Sequence, residues 1–153
     1  MGCDIHLYTE KLSYSYRKDL EAWRCADIFT LDPDAISGDS EYSRFQIRRV
    51  YRDRDYTLFA CLAGVRNYGN ITPIDEPRGL PPDVSDYVRM VADEWGCDGH
   101  SHSYLTLGEL QDAEPDFTSV PRAGMVANET AHSDATLLRY LRDTFRIVFW
   151  FDN

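Results

Sequence analysis

Cys3-Asp4-Ile5-His6-Leu7-Tyr8 alternates, with Cys3, Ile5 and Leu7 facing one way and Asp4, His6 and Tyr8 the other. A period of two marks a half-buried β-strand, because successive side chains leave a strand on opposite faces. The chain therefore begins with a strand that packs one face on a core and carries Asp4 and His6 side by side on the other. Its far end has a related character: Phe145 to Phe151 is rich in aromatics and reads like a core strand. Two such terminal strands with helical patterns between them predict an α+β domain. Its mixed or antiparallel sheet includes both terminal strands and is packed with three to four helices. If the two terminal strands pair, Asp152 comes close to the face of Asp4 and His6.

Working inward, Ala22-Trp23-Arg24-Cys25-Ala26 suits a hairpin strand returning along the first. Pro33, Gly38 and a run of Asp and Ser over 31–43 predict a surface loop ahead of a short strand at 45–51. Asp55 can cap a helix in which Leu58, Phe59, Leu62 and Val65 form one apolar stripe, ending near Asn67 or Gly69. Prolines and glycines over 69–82 predict an ordered loop. A helix starting at Asp83 or Ser85 then buries Val88, Val91 and Trp95 and stops at Gly96. Thr106, with Glu109 three residues later, forms a capping-box pattern for a short helix carrying Leu107 and Leu110. Residues 98–103 read as the polar loop that leads into it. Ser133 or Asp134 caps a last helix with Leu137, Leu138 and Leu141, and His132 reads as a capping or surface residue.

Length and composition bound the rest. At 153 residues the chain matches one domain, 1–153, long enough to bury roughly 70% of the surface its unfolded form exposes. Ten Tyr, seven Phe and three Trp supply a core that needs no disulfide or metal staple. A formal charge of -10 repels the nucleic-acid backbone and disfavours non-specific DNA or RNA binding. The four cysteines, at 3, 25, 61 and 97, form no C-x-x-C pair, which indicates reduced thiols rather than a disulfide framework or zinc ribbon. Cys3 and Cys97 read as packing residues. No apolar run approaches the roughly 20 residues that span a bilayer, and no secretory leader pattern is present, so a cytoplasmic protein without membrane attachment is expected. His6 stands where a myristoylation signal after Gly2 wants Ser or Thr.

Chemistry concentrates in two short segments. Asp4-x-His6 on a strand and Asp98-x-His100-x-His102 on a loop offer nitrogen and oxygen donors of the kind that hold Zn, Mn or Fe. Taken alone, each segment also reads as a polar strand face or a helix-capping loop. Their combination favours a shared acid/base or divalent-metal site, with Asp4, His6, Asp98, His100 and His102 as catalytic candidates and Asp4, His6, His100 and His102 as metal ligands. A second set, Arg54, Arg66, Asn67, Glu76 and Arg78, lies at the two ends of one helix and in the Pro-rich loop. Guanidinium groups there suit a phosphate or carboxylate, while pairing with nearby carboxylates is the plainer alternative.

Several motifs also occur together. They are Met1-Gly2-Cys3-Asp4-Ile5-His6, Tyr56-x-Leu58-Phe59, Val65-Arg66-Asn67, Glu76-Pro77-Arg78-Gly79-Leu80-Pro81, Asp98-Gly99-His100-Ser101-His102-Ser103 and the ending Arg146-Ile147-Val148-Phe149-Trp150-Phe151-Asp152-Asn153. In these the chain resembles a family of small, uncharacterised bacteriophage and prophage proteins. The resemblance implies expression in the cytoplasm of a bacterial host. It carries no activity or cofactor with it, although its motifs include the polar candidates above. The functional expectation is a divalent-metal-dependent hydrolase acting on a nucleotide or phosphodiester. The alternative is a non-catalytic protein that binds a phosphate-bearing nucleotide or a host protein and so blocks a host defence.

Overall fold

The computed structural model describes residues 2–13, 17–31, 45–48, 51, 53–113 and 135–153. The opening stretch forms strand β1 (Ile5–Ser13), and the closing stretch forms β6 (Phe145–Phe151). They pair antiparallel from Ile5 opposite Phe151 to Lys11 opposite Phe145. The first and last strands are thus the two central strands of one sheet. The expected return strand, β2 (Ala22–Cys25), follows a short 3-10 turn at Lys18–Leu20 and flanks β1 on one side. On the other side β5 (His100–Thr106) flanks β6, which gives the antiparallel order β2-β1-β6-β5. A separate two-stranded sheet pairs β3 (Ile28–Leu31) with β4 (Phe45–Arg48).

Two sequence expectations shift here. The loop expected at 31–43 lies outside the described residues apart from Leu31, which ends β3. The polar loop expected at 98–103 is strand from His100 onward, because pairing with β6 satisfies the backbone of a segment too polar to show apolar alternation. That strand is irregular. A register shift between His100 and Ser103 sets one extra residue against β6, and Ser101 takes φ +52° there.

Four α-helices are described. In α1 (Tyr56–Ala63) the Asp55 carboxylate accepts the N–H groups of Thr57 and Leu58, as a cap should. Gly64 ends the helix at φ +69°, a few residues before the expected stop, since glycine enters the left-handed region without a steric penalty. The helix α2 (Asp86–Trp95) stops at Gly96 as expected. In α3 (Leu107–Asp112) both halves of the capping box are made: Thr106 Oγ1 accepts from Glu109 N–H, and Glu109 Oε2 accepts from Thr106 N–H. The last helix, α4 (Ala135–Thr144), leads directly into β6, and the caps expected at Ser133 or Asp134 precede the described residues.

Strand alternation divides the core between the two faces of the sheet. Cys3, Ile5, Leu7, Leu105, Ile147, Phe149 and Phe151 pack with Leu58, Phe59 and Leu62 of α1. Tyr8, Val148 and Trp150 pack with Val84, Val88 and Ala92 of the α2 segment. Val91 and Trp95 are only partly buried against that second cluster. The helix α2 lies along β1: Ser85 at its start donates its N–H to Glu10, and the Trp95 ring at its end packs at a tilt against His6. No helix among the described residues is long and apolar enough to cross a membrane.

Candidate functional site

Antiparallel pairing of β1 with β6 brings residues from both chain ends to one end of the sheet. Asp152 follows the last strand residue and returns toward Asp4: its N–H donates to the Asp4 carbonyl at 3.1 Å, while its Oδ1 accepts the Asp4 N–H at 3.0 Å. The second carboxylate oxygen, Oδ2, lies 3.0 Å from His6 Nε2. The Asp152 carboxylate therefore links the backbone ahead of β1 to the first imidazole on that strand. Asp152 meets His6, as strand pairing requires.

His6 is 7% exposed, and aromatic rings enclose it. Its ring centroid lies 4.1 Å from Trp95 and 5.8 Å from Trp150. His102, on the far side of β6, stacks on Trp150 at 5.6 Å. Burial, followed by the neighbouring His100, pushes the His102 pKa below its ordinary value, with Asp93 opposing the shift. His100 Nδ1 bonds its neighbour Ser101 Oγ at 3.0 Å, and its ring lies 6.1 Å from Phe151.

Asp4 turns to Arg54. The guanidinium grips both carboxylate oxygens, Nε to Oδ1 and Nη2 to Oδ2, each at 2.7 Å. Such a fork is the strong form of a carboxylate–guanidinium pair, and it holds the Asp4 carboxyl below its ordinary pKa. Gly2 lies directly beneath the Arg54 guanidinium, where a Cβ would collide with it. Arg66, at φ +52° just past α1, donates from Nη2 to Asn153 Oδ1 at 3.1 Å. The Tyr68 hydroxyl and the Cys3 thiol lie close enough to interact electrostatically with its guanidinium, which raises the Arg66 pKa above its ordinary value. Burial raises the Cys3 pKa despite Arg66, which makes Cys3 an inert packing thiol. The Tyr56 hydroxyl accepts the Cys3 N–H at 3.3 Å, and the Tyr56 ring meets Tyr68 edge-on at 6.3 Å. Tyr68 is 76% exposed, the most open of the large apolar side chains among the described residues.

The candidates thus separate. Asp4, His6, Arg54 and Arg66 meet around the chain ends, together with Asp152, Asn153, Tyr56, Tyr68 and Trp95. Asn67 instead clamps a turn, giving and accepting hydrogen bonds with Ile71 at 2.6 and 2.8 Å. Arg78 pairs with Asp75 and with Glu109 and donates to the Tyr104 carbonyl, while the neighbouring Gly79 N–H donates to the His102 carbonyl. That loop covers the outer edge of β5. Glu76 is exposed in it, and Asp98 is exposed at the end of α2, its N–H donating to the Trp95 carbonyl. Among the described residues, no three His, Cys, Asp or Glu side chains form a group that could hold a metal ion. Asp4 is engaged by Arg54 and His6 by Asp152, so the four expected ligands Asp4, His6, His100 and His102 do not form one donor set here.

Sequence spacing did not single out Asn153, Tyr68 or Trp95 as site residues. A polar pair ending an aromatic strand signals the first of these, and an exposed Tyr two residues beyond an Arg signals the second. Compared with protein-family models, with curated proteins and with solved structures, the chain matches none.

Proposed function

We propose that the end of the sheet at the chain termini binds a phosphate-bearing nucleotide. The observation that carries this reading is the convergence of two guanidiniums, Arg54 and Arg66, on residues 2–4 beside the exposed ring of Tyr68. Guanidinium forks suit phosphate oxygens, and an open aromatic ring gives a base a surface to stack on. The partners now held by the two arginines are the exposed Asn153 and the half-exposed Asp4, so both guanidiniums lie where a phosphate can compete for them. In the phage setting suggested by the terminal motifs, such a protein sequesters a host nucleotide or blocks a nucleotide-dependent defence. Thermal-shift measurements against nucleoside mono-, di- and triphosphates test the reading. A rise in melting temperature that disappears in both Arg66→Ala and Tyr68→Ala supports it, and no rise with any nucleotide contradicts it.

The contact between His6 and Asp152 favours a second reading, hydrolysis of the bound nucleotide. A carboxylate that fixes an imidazole also stabilises its protonated form, which is what a general base needs when it takes a proton from water. Product release from a nucleotide that also stabilises the protein, lost in Asp152→Ala, distinguishes enzyme from binder. A bound Zn, Mn or Fe ion belongs to neither reading as drawn, because two of its expected ligands, Asp4 and His6, are engaged with Arg54 and Asp152. About one metal per chain in protein purified without chelator would restore the metal-dependent form.

A further inference from the structure

At the other end of β1 a groove of about 740 Å³ opens between β2 and the start of α2. Its size falls within the range of small-molecule sites. Trp23 and Tyr87 give it aromatic walls, and Glu21, Asp83 and Asp86 bring three carboxylates to its lining against one guanidinium, Arg24. Ser85 also lines it, is 7% exposed, and its buried hydroxyl has no hydrogen-bond partner.

We propose that this groove binds a planar cation, a guanidinium group. The protein already contains one example of the pairing. The Arg146 guanidinium sits 3.9 Å from the centroid of the Trp23 ring and donates from Nη1 to Asp83 Oδ1 at 2.8 Å. Arg146 occupies Trp23 and Asp83, and the same groove lining adds Tyr87 with the Glu21 and Asp86 carboxylates, an aromatic ring and acceptors of the kind that hold the first guanidinium. The buried Ser85 hydroxyl, without a partner at the groove wall, is a polar group still lacking one. A bare helix start would repel a cation, but the Ser85 N–H at the start of α2 is taken up by Glu10 at 2.7 Å, and Asp86 brings an exposed carboxylate to the first turn. A net charge of -10 favours a cationic ligand at long range. The site lies at the opposite end of the sheet from the proposed nucleotide site and does not depend on it.

Argininamide is the probe, with citrullinamide as its neutral isostere and lysinamide as a cation without the planar fork. The readout is the Trp23 indole N–H resonance in a nitrogen-15 spectrum, assigned with Trp23→Phe. We expect a saturable shift with argininamide, a much weaker one with lysinamide and none with citrullinamide. Asp86→Asn, an exposed change that leaves the fold intact, weakens binding about tenfold, the loss of one charge-assisted hydrogen bond. A short arginine peptide that binds more tightly than argininamide assigns the natural ligand to a protein side chain, and a weaker one assigns it to a free guanidinium compound. A shift that fails to saturate, or an equal shift with citrullinamide, overturns the proposal.

Discussion

His6 Nε2 lies 3.0 Å from Asp152 Oδ2, so one carboxylate at the end of the chain fixes the first imidazole of its opening strand. Through its other oxygen and its own N–H, Asp152 also holds the backbone of Asp4. This clasp closes the central strand pair at the candidate site.

Removing the clasp should loosen that end without unfolding the protein. Asp152→Ala leaves the His6 ring and the Asp4 N–H short of an acceptor, at a cost of about 1–3 kcal/mol. Urea unfolding of Asp152→Ala, His6→Ala and the double variant measures the coupling between them. Strictly additive losses would mean that the contact does not contribute.

A costlier pair lies at the opposite end of the sheet. Glu10 and Arg146 are 0% and 4% exposed and meet at 2.7 Å, with Asp83 as a further partner of Arg146. Replacing Glu10 by Ala leaves the buried guanidinium with Asp83 as its remaining carboxylate and should cost up to about 3–5 kcal/mol. The double change Glu10→Leu with Arg146→Met should recover much of that loss, because neither charge then stays buried alone. Chemical denaturation of the three variants checks the order.

His102 makes stability depend on pH. Its folded pKa is depressed by burial and by His100, so the fold favours the neutral ring. That contribution is complete above the ordinary value of 6.5 and is lost as pH falls from there through the folded value. Stability should therefore decline on acidification across this window, and the decline should be shallower in His102→Phe. Melting temperatures of both proteins at intervals below neutrality give the comparison. Parallel curves would contradict the assignment.

Arg78 should protect a strand edge rather than hold a ligand. It ties the loop around Asp75 to β5 and to Glu109 of α3, and covers an outer edge that would otherwise offer unpaired backbone groups. Arg78→Ala should speed amide hydrogen exchange through β5 and leave the β1–β6 amides slow. Unchanged exchange in β5 would show that the loop holds without it.

What was legible in the sequence was mostly local. The Asp55 cap, the reciprocal pair of Thr106 and Glu109, and the stop at Gly96 are each set by residues within one turn of the helix they bound. The terminal strands declared themselves by alternation at one end and aromatic content at the other, and the approach of Asp152 to His6 follows once they pair. Strand β5 was hidden because His100-Ser101-His102-Ser103 has no apolar rhythm, and only its pairing with β6 makes it a strand. Strand β3 is four residues long and depends on a partner that starts fourteen residues after it ends. The joining of Arg54 and Arg66 at residues 2–4 and 153 spans much of the chain, and spacing along the sequence carries no trace of it.

The central claim is that Arg54, Arg66 and Tyr68 form one nucleotide site. Isothermal titration of the nucleotide that most stabilises the wild type, repeated on Arg54→Ala, Arg66→Ala and Tyr68→Ala, tests it most directly. Each variant should bind about tenfold or more weakly while keeping its fold, the scale of one lost phosphate contact or one lost stacking surface. Wild-type affinity retained in all three would contradict the account.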